Sequence, residues 1–128
     1  MSIREDAMIE AYWKTIGGTL VKEFPAVRGS STHGRRLIDA VIISDGEFRR
    51  CHWSDVDLKG KDVVVVQAKN ERLGMYLMGQ TLFSAELVRK FFDPKSVLSI
   101  ALCSKDDSVL RPMLEVFPNM KVQVIEEF

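Results

Sequence analysis

Cysteine, histidine and any surplus of one charge are what this 128-residue chain has least of. Cys51 and Cys103 stand far apart, and His33 and His52 are not spaced as ligands. That spacing speaks against a zinc cluster and against a disulfide-dense scaffold. Lysine plus arginine number 18, as do aspartate plus glutamate. The molecule therefore has no overall basic footprint, and binding to nucleic acid must rest on local clusters. No apolar run reaches the roughly 20 residues that span a bilayer. There is no phosphate-cradling glycine loop, and neither histidine is placed to activate Ser30, Ser31 or Thr32. The opening Ser2-Ile3-Arg4-Glu5-Asp6 lacks the pattern of a signal peptide. The expectation is a cytoplasmic protein with no membrane partner and no organic cofactor.

What is present suits one domain, residues 1–128, with a single core. Its 46% hydrophobic and 28% charged content is that of an ordinary globular chain. The four β-branched residues Val63 to Val66 mark a strand buried on both faces. This strand runs into Gln67-Ala68-Lys69-Asn70 rather than into turn residues. Side chains two apart on a strand share a direction, so an amide and an ammonium emerge together at the end of an apolar plank. A charge there needs an anion, from the protein or from a ligand. Asp39, inside the β-rich run Arg35 to Ile43, is the candidate from the protein, unless it is an edge-strand acid facing water.

The rest of the chain reads as alternating elements. Ser2-x-x-Glu5 is a capping box opening a helix whose apolar face is Ile9, Tyr12, Trp13 and Ile16, ended by Gly17-Gly18. Thr19 to Phe24 is a strand stopped near Pro25, and Arg28 to Gly34 is a polar loop. Asp45-Gly46 closes the second strand. Phe48 to Trp53 reads as a short extra strand before a polar loop. Arg72 to Phe92 is the strongest helical pattern, with Leu73, Leu77, Gln80, Ser84, Leu87 and Phe91 on one face. Tyr76 and Phe83 flank that face, and Met75, Met78 and Leu82 lie opposite. Beyond Asp93-Pro94 come a strand from Val97 to Cys103, a short helix through Glu115, and a last strand from Lys121 to Ile125.

Asp39, Gln67 and Lys69 together suggest chemistry on phosphodiesters. Hydrolysing such a bond requires lowering a barrier by something like 20 kcal/mol, commonly with a hydrated divalent metal and a cation beside the attacking water. Asp39 would give Mg2+ a carboxylate, and the Gln67 side chain and the Ala68 backbone would give neutral oxygens. Lys69 would steady the water or the developing charge. Gln80, within an apolar stripe, is either a core amide bonded to backbone or a group facing the end of the central strand. Arg28, His33, Arg35 and Arg36 are the best basic cluster, with Lys69 and Arg72 nearby in space. They are either phosphate contacts or solvated loop charges. His52-Trp53 either stacks on a base or simply packs.

With Asp39 on one strand and Gln67-Ala68-Lys69 at the end of the next, the chain resembles the PD-(D/E)XK nuclease superfamily. The QxK form is similar to that of Mrr-like restriction endonucleases, and Ile38 stands where the motif's proline would be. The resemblance covers nearly the whole chain. It implies an α/β fold: a restriction-endonuclease-like αβββαβ core, a mixed central sheet flanked by helices, with an added C-terminal helix and strand. It also implies Mg2+ or Mn2+ as cofactor and DNA as substrate, with RNA as the other candidate. Gln67 binds a cation less strongly than a carboxylate. In relatives of Holliday-junction-resolvase type a first-helix acid joins the site, which makes Glu10 the candidate, with Glu5 or Asp6 as substitutes. Catalytic roles then fall to Asp39, Gln67, Lys69 and Glu10, and metal contact to Asp39, Gln67 and Ala68. Nucleic-acid contact falls to Arg28, Arg35, Arg36, Arg72 and Gln80. So small a domain has no separate recognition element, which points to a homodimer through the 75–82 helix face (Met75, Met78, Leu82). The competing expectation is a nuclease-fold module for nucleic-acid or protein binding, catalytically weak or inactive.

Overall fold

The computed structural model describes residues 1–127. Helix α1 (Ile3–Ile16) begins at the Ser2/Glu5 capping box and ends at Gly17. Gly18 turns the chain into the sheet with φ 88°, and a Cβ there would meet the carbonyl of Ile43 at 2.5 Å, so this position demands glycine. The strands are β1 (Thr19–Val27), β2 (Arg36–Ile43), β3 (Arg49–Arg50), β4 (Asp62–Arg72), β5 (Ser96–Lys105) and β6 (Met120–Val124). Helix α2 (Met75–Phe92) joins β4 to β5, and α3 (Leu110–Glu115) joins β5 to β6.

They form one mixed six-stranded sheet in the order β3-β1-β2-β4-β5-β6, flanked by helices. β1, β2 and β4 are antiparallel neighbours, while β5 runs parallel to β4 and β6 parallel to β5. Two apolar layers hold it. On one face Met8, Ile9, Tyr12 and Trp13 of α1 pack on Leu20, Ile42, Val64 and Leu102. On the other, Leu77, Ala85 and Val88 of α2 and Leu114 of α3 pack on Val21, Val41, Val65 and Val122. The valine run is buried on both faces, as its composition requires.

Several boundaries differ from expectation. β1 continues through Pro25 to Val27, because β3 pairs with β1 only at Thr19 and Leu20 and leaves the outer side of Pro25 as an edge. The extra strand is two residues long, and Trp53 instead starts a 3-10 turn. β4 extends to Arg72, three residues beyond Lys69. α2 buries Leu77, Thr81, Ser84, Ala85 and Val88 rather than Gln80, Leu87 and Phe91. Among the described residues no helix is long and apolar enough to cross a membrane.

Candidate active site

The ladder between β2 and β4 runs from Ile43 opposite Val63 to Ala40 opposite Val66, and then stops. Beyond that pair each strand offers a side chain to the other's backbone. Asp39 Oδ2 accepts the N–H of Ala68 at 2.9 Å, and Gln67 Oε1 accepts the N–H of Asp39 at 3.4 Å. The irregularity extends to β1. Val21 and Phe24, three apart, share the α2 face, as do Ile38 and Val41, although period-2 alternation would put such pairs on opposite faces. Glu23, between Lys22 (opposite Ala40) and Phe24 (opposite Ile38), takes a left-handed φ of 51°. Two neighbouring strands therefore change face together, and Asp39 sits at that step.

Gln67 is 3% exposed. Its Nε2 donates to Ser84 Oγ of α2 at 2.7 Å, so both ends of the amide are held. The sequence places Ser84 within an apolar stripe; its hydroxyl is the partner the buried amide needs. Gln80, expected either as a core amide or as a group facing the end of the central strand, is half-buried and lines an open groove with Gln67. Lys69 is half-buried, forms no ion pair among the described residues, and holds its ammonium 5.8 Å from the centre of the Tyr76 ring.

The acids of α1 divide. Glu10, the expected partner, is bound elsewhere: its carboxylate takes hydrogen bonds from Arg50 and lies 2.7 Å from Lys22 Nζ. The Arg50 guanidinium foremost, then Lys22, holds Glu10 well below the usual carboxylate range, at about 2, against the effect of burial. Asp6 pairs with Lys22 as well, at 2.8 Å. Glu5 is the acid that reaches the end of β4. One oxygen closes the capping box at Ser2 and the other accepts the N–H of Asn70 at 3.2 Å. Burial works against its charge, yet the N–H groups of Asn70 and Ser2 and the field of Lys69 hold it below its ordinary value. Burial pushes Asp39 the other way, upward. The Ala68 N–H and the N-terminal ammonium oppose the rise, Glu5 adds to it, and Lys69 opposes it.

The donors at the splay are all hard oxygens: the Asp39 carboxylate, whose Oδ1 makes no hydrogen bond among the described residues, the Gln67 amide and the Ala68 carbonyl. Among the described residues no three His, Cys, Asp or Glu side chains group into a metal site. A set with so little charge fits Mg2+ or Mn2+ that keeps most of its own water, and does not fit zinc or a tightly caged ion. Thiol chemistry is not on offer nearby, since burial pushes Cys103 up to about 11.

The basic cluster also divides. Arg28, Arg35 and Arg36 line two adjoining grooves beside α2, of about 550 and 740 Å³, which share Arg36 and Leu87. Arg72 is drawn away, donating to the backbone of Asp106 at the end of β5. His33 is held within its own loop by Ser30, Thr32 and the carbonyl of Arg28. Trp53 tilts against His52 beside a separate small pocket. The expected dimer stripe changes as well. Met75 is exposed, but Met78 and Leu82 pack against the core, so the apolar side chains α2 leaves uncovered are Met75, Tyr76, Phe83 and Phe91. Comparison of the chain with protein-family models, curated proteins and solved structures finds no match.

Proposed function

We propose that this chain is a metal-dependent phosphodiester hydrolase acting on DNA, with Asp39, Gln67 and Lys69 as its working residues and Glu5 as the first-helix acid. The observation that carries this reading is the splay of β2 from β4, where a carboxylate and a buried amide brace the two strands and Lys69, which forms no ion pair among the described residues, acts on Asp39 through its field. The order helix, three antiparallel strands, helix, parallel strand is in keeping with a restriction-endonuclease-like core.

Asp39 Oδ1, Gln67 Oε1 and the Ala68 carbonyl would hold Mg2+ or Mn2+, which when bound supplies a Lewis acid and makes water a better nucleophile. The chain's own residues do the rest. Asp39 is fixed from two sides, its carboxylate by the Ala68 N–H and its backbone by the Gln67 amide. Ser84 holds that amide, so the carboxylate keeps its aim. Lys69 stabilises charge growing on the phosphate oxygens and orients the attacking water. Glu5 pins the Asn70 N–H and so steadies the residue that follows Lys69.

A second reading, a binding module without turnover, draws on the neutral amide at position 67, both of whose ends are already bonded. Cleavage assays on single-stranded, duplex and branched DNA in Mg2+ or Mn2+ separate the two. Loss of activity in both Asp39→Ala and Lys69→Ala, with an unchanged circular dichroism spectrum, supports hydrolysis at this site. Cleavage that survives both substitutions overturns it. Binding without cleavage in either metal favours the module.

A further inference from the structure

We infer that the grooves along α2 hold a single strand of nucleic acid, with its bases stacked on Phe83 and Phe91 and its backbone against Arg28, Arg35, Arg36 and Lys90. The inference deepens the proposed function, since it names the form of the substrate, and it rests on that reading for what happens once the strand is bound.

Four observations lead to it. First, α2 leaves its large aromatics outside: Tyr76 is 74%, Phe83 67% and Phe91 54% exposed, while the small side chains of Thr81, Ser84 and Ala85 take the buried positions. Second, the charge beside this face has one sign. Arg28, Arg36 and Lys90 line one groove, Arg35 and Arg36 the other, and among the described residues no Asp or Glu lines either. None of those four cations forms an ion pair among the described residues. In a chain with equal numbers of acidic and basic residues this is a local polyanion-binding surface.

Third, aromatic faces beside a cationic groove select for unpaired bases. A duplex presents its phosphates and keeps its base faces stacked, so exposed phenyl rings gain little from it, whereas a single strand offers a π-face at every nucleotide. From Tyr76 to Phe91 the helix rises about 22 Å at 1.5 Å per residue, room for several nucleotides. Fourth, the groove is continuous with the splay. Its floor includes Gln67 and Ser84, and the Tyr76 ring on its wall is the one beneath the Lys69 ammonium. A strand lying along α2 would therefore bring a phosphate to Lys69 and Asp39.

The test is fluorescence anisotropy with a labelled oligothymidine and with a blunt duplex of equal length, in EDTA so that no cleavage intervenes. Wild type, Phe83→Ala, Phe91→Ala and Arg35→Ala/Arg36→Ala are compared, with sedimentation reporting the oligomeric state of each. The single strand should bind at least about tenfold tighter than the duplex, and each phenylalanine substitution should weaken it by about five- to a hundredfold, the range of one base–aromatic stack. The double arginine variant should weaken both ligands and flatten the salt dependence. Equal or tighter duplex binding, or single-strand binding indifferent to both phenylalanines, overturns the inference. So does a dimer that the phenylalanine variants dissociate and that binds no single strand, which would make the face a contact between copies. The two readings fail separately. Single-strand binding without metal-dependent cleavage leaves the groove standing and removes the hydrolase. Asp39-dependent cleavage of duplex alone, unaffected at Phe83 and Phe91, does the reverse.

Discussion

Helix α1 carries its acids to two places that treat charge in opposite ways. On one side, Glu10 and Asp6 meet Lys22 and Arg50, and every charge has a partner. At its N-terminus, Glu5 reaches the end of β4, where Lys69 has no ion-pair partner among the described residues and Asp39 is pushed above its ordinary pKa by burial. The first network is complete and contributes stability. The second is unbalanced, holding a carboxylate that burial makes costly to ionise near an ammonium that forms no ion pair among the described residues. A hydrated divalent ion and a phosphate would balance it, and perturbed groups of this kind collect at functional sites.

Substitutions in the two networks should therefore separate activity from stability. The largest contrast is between lysines: Lys69→Ala should lower metal-dependent cleavage by about a thousandfold with little change in Tm, whereas Lys22→Ala should lower Tm and leave cleavage within about twofold. Next, Ser84→Ala strands the buried Nε2 of Gln67 and should cost about 2 kcal/mol in denaturant unfolding, with a parallel loss of cleavage as Asp39 loses its brace. Glu10→Gln should cost about 1 kcal/mol at neutral pH without affecting cleavage. Because the native pKa of Glu10 is depressed to about 2, its contribution is present above the unfolded value of 4.5 and is lost as pH falls toward 2. Asp39 has the opposite sign. Its native pKa is raised, so stability falls as pH climbs from the unfolded value of 3.8 through the native one, and the penalty persists above it. Asp39→Asn keeps an oxygen for the Ala68 N–H and removes the charge. Its Tm should exceed that of wild type at pH 7 and converge with it below the unfolded value, while cleavage is lost.

The order of elements was legible because β-branched runs and the Ser2/Glu5 box are local signals, and so was the approach of Asp39 to Gln67, which follows from two adjacent strands. The choice between Glu5 and Glu10 was not legible. Helical angle places both acids, but only the sheet edge shows that Lys22 and Arg50 occupy Glu10 while Asn70 receives Glu5. α2 misled for another reason. Ranking its faces by hydrophobic bulk puts Phe91 inside with Leu77 and Ser84, yet packing against the sheet adds Thr81, Ala85 and Val88, whose small size lets the helix approach closely, and leaves Phe91 out. An apolar stripe does not mark Ser84 as a partner for Gln67, and the flanking positions of Tyr76 and Phe83 do not reveal that both rings lie outside.

Paramagnetic broadening by Mn2+, followed residue by residue in amide NMR spectra, would show whether a divalent ion binds where β2 splays from β4. The amides of Asp39, Ala68 and Lys69 should broaden first, and Asp39→Ala should abolish this. Earliest broadening elsewhere, or a pattern unchanged in Asp39→Ala, would overturn the assignment of the site.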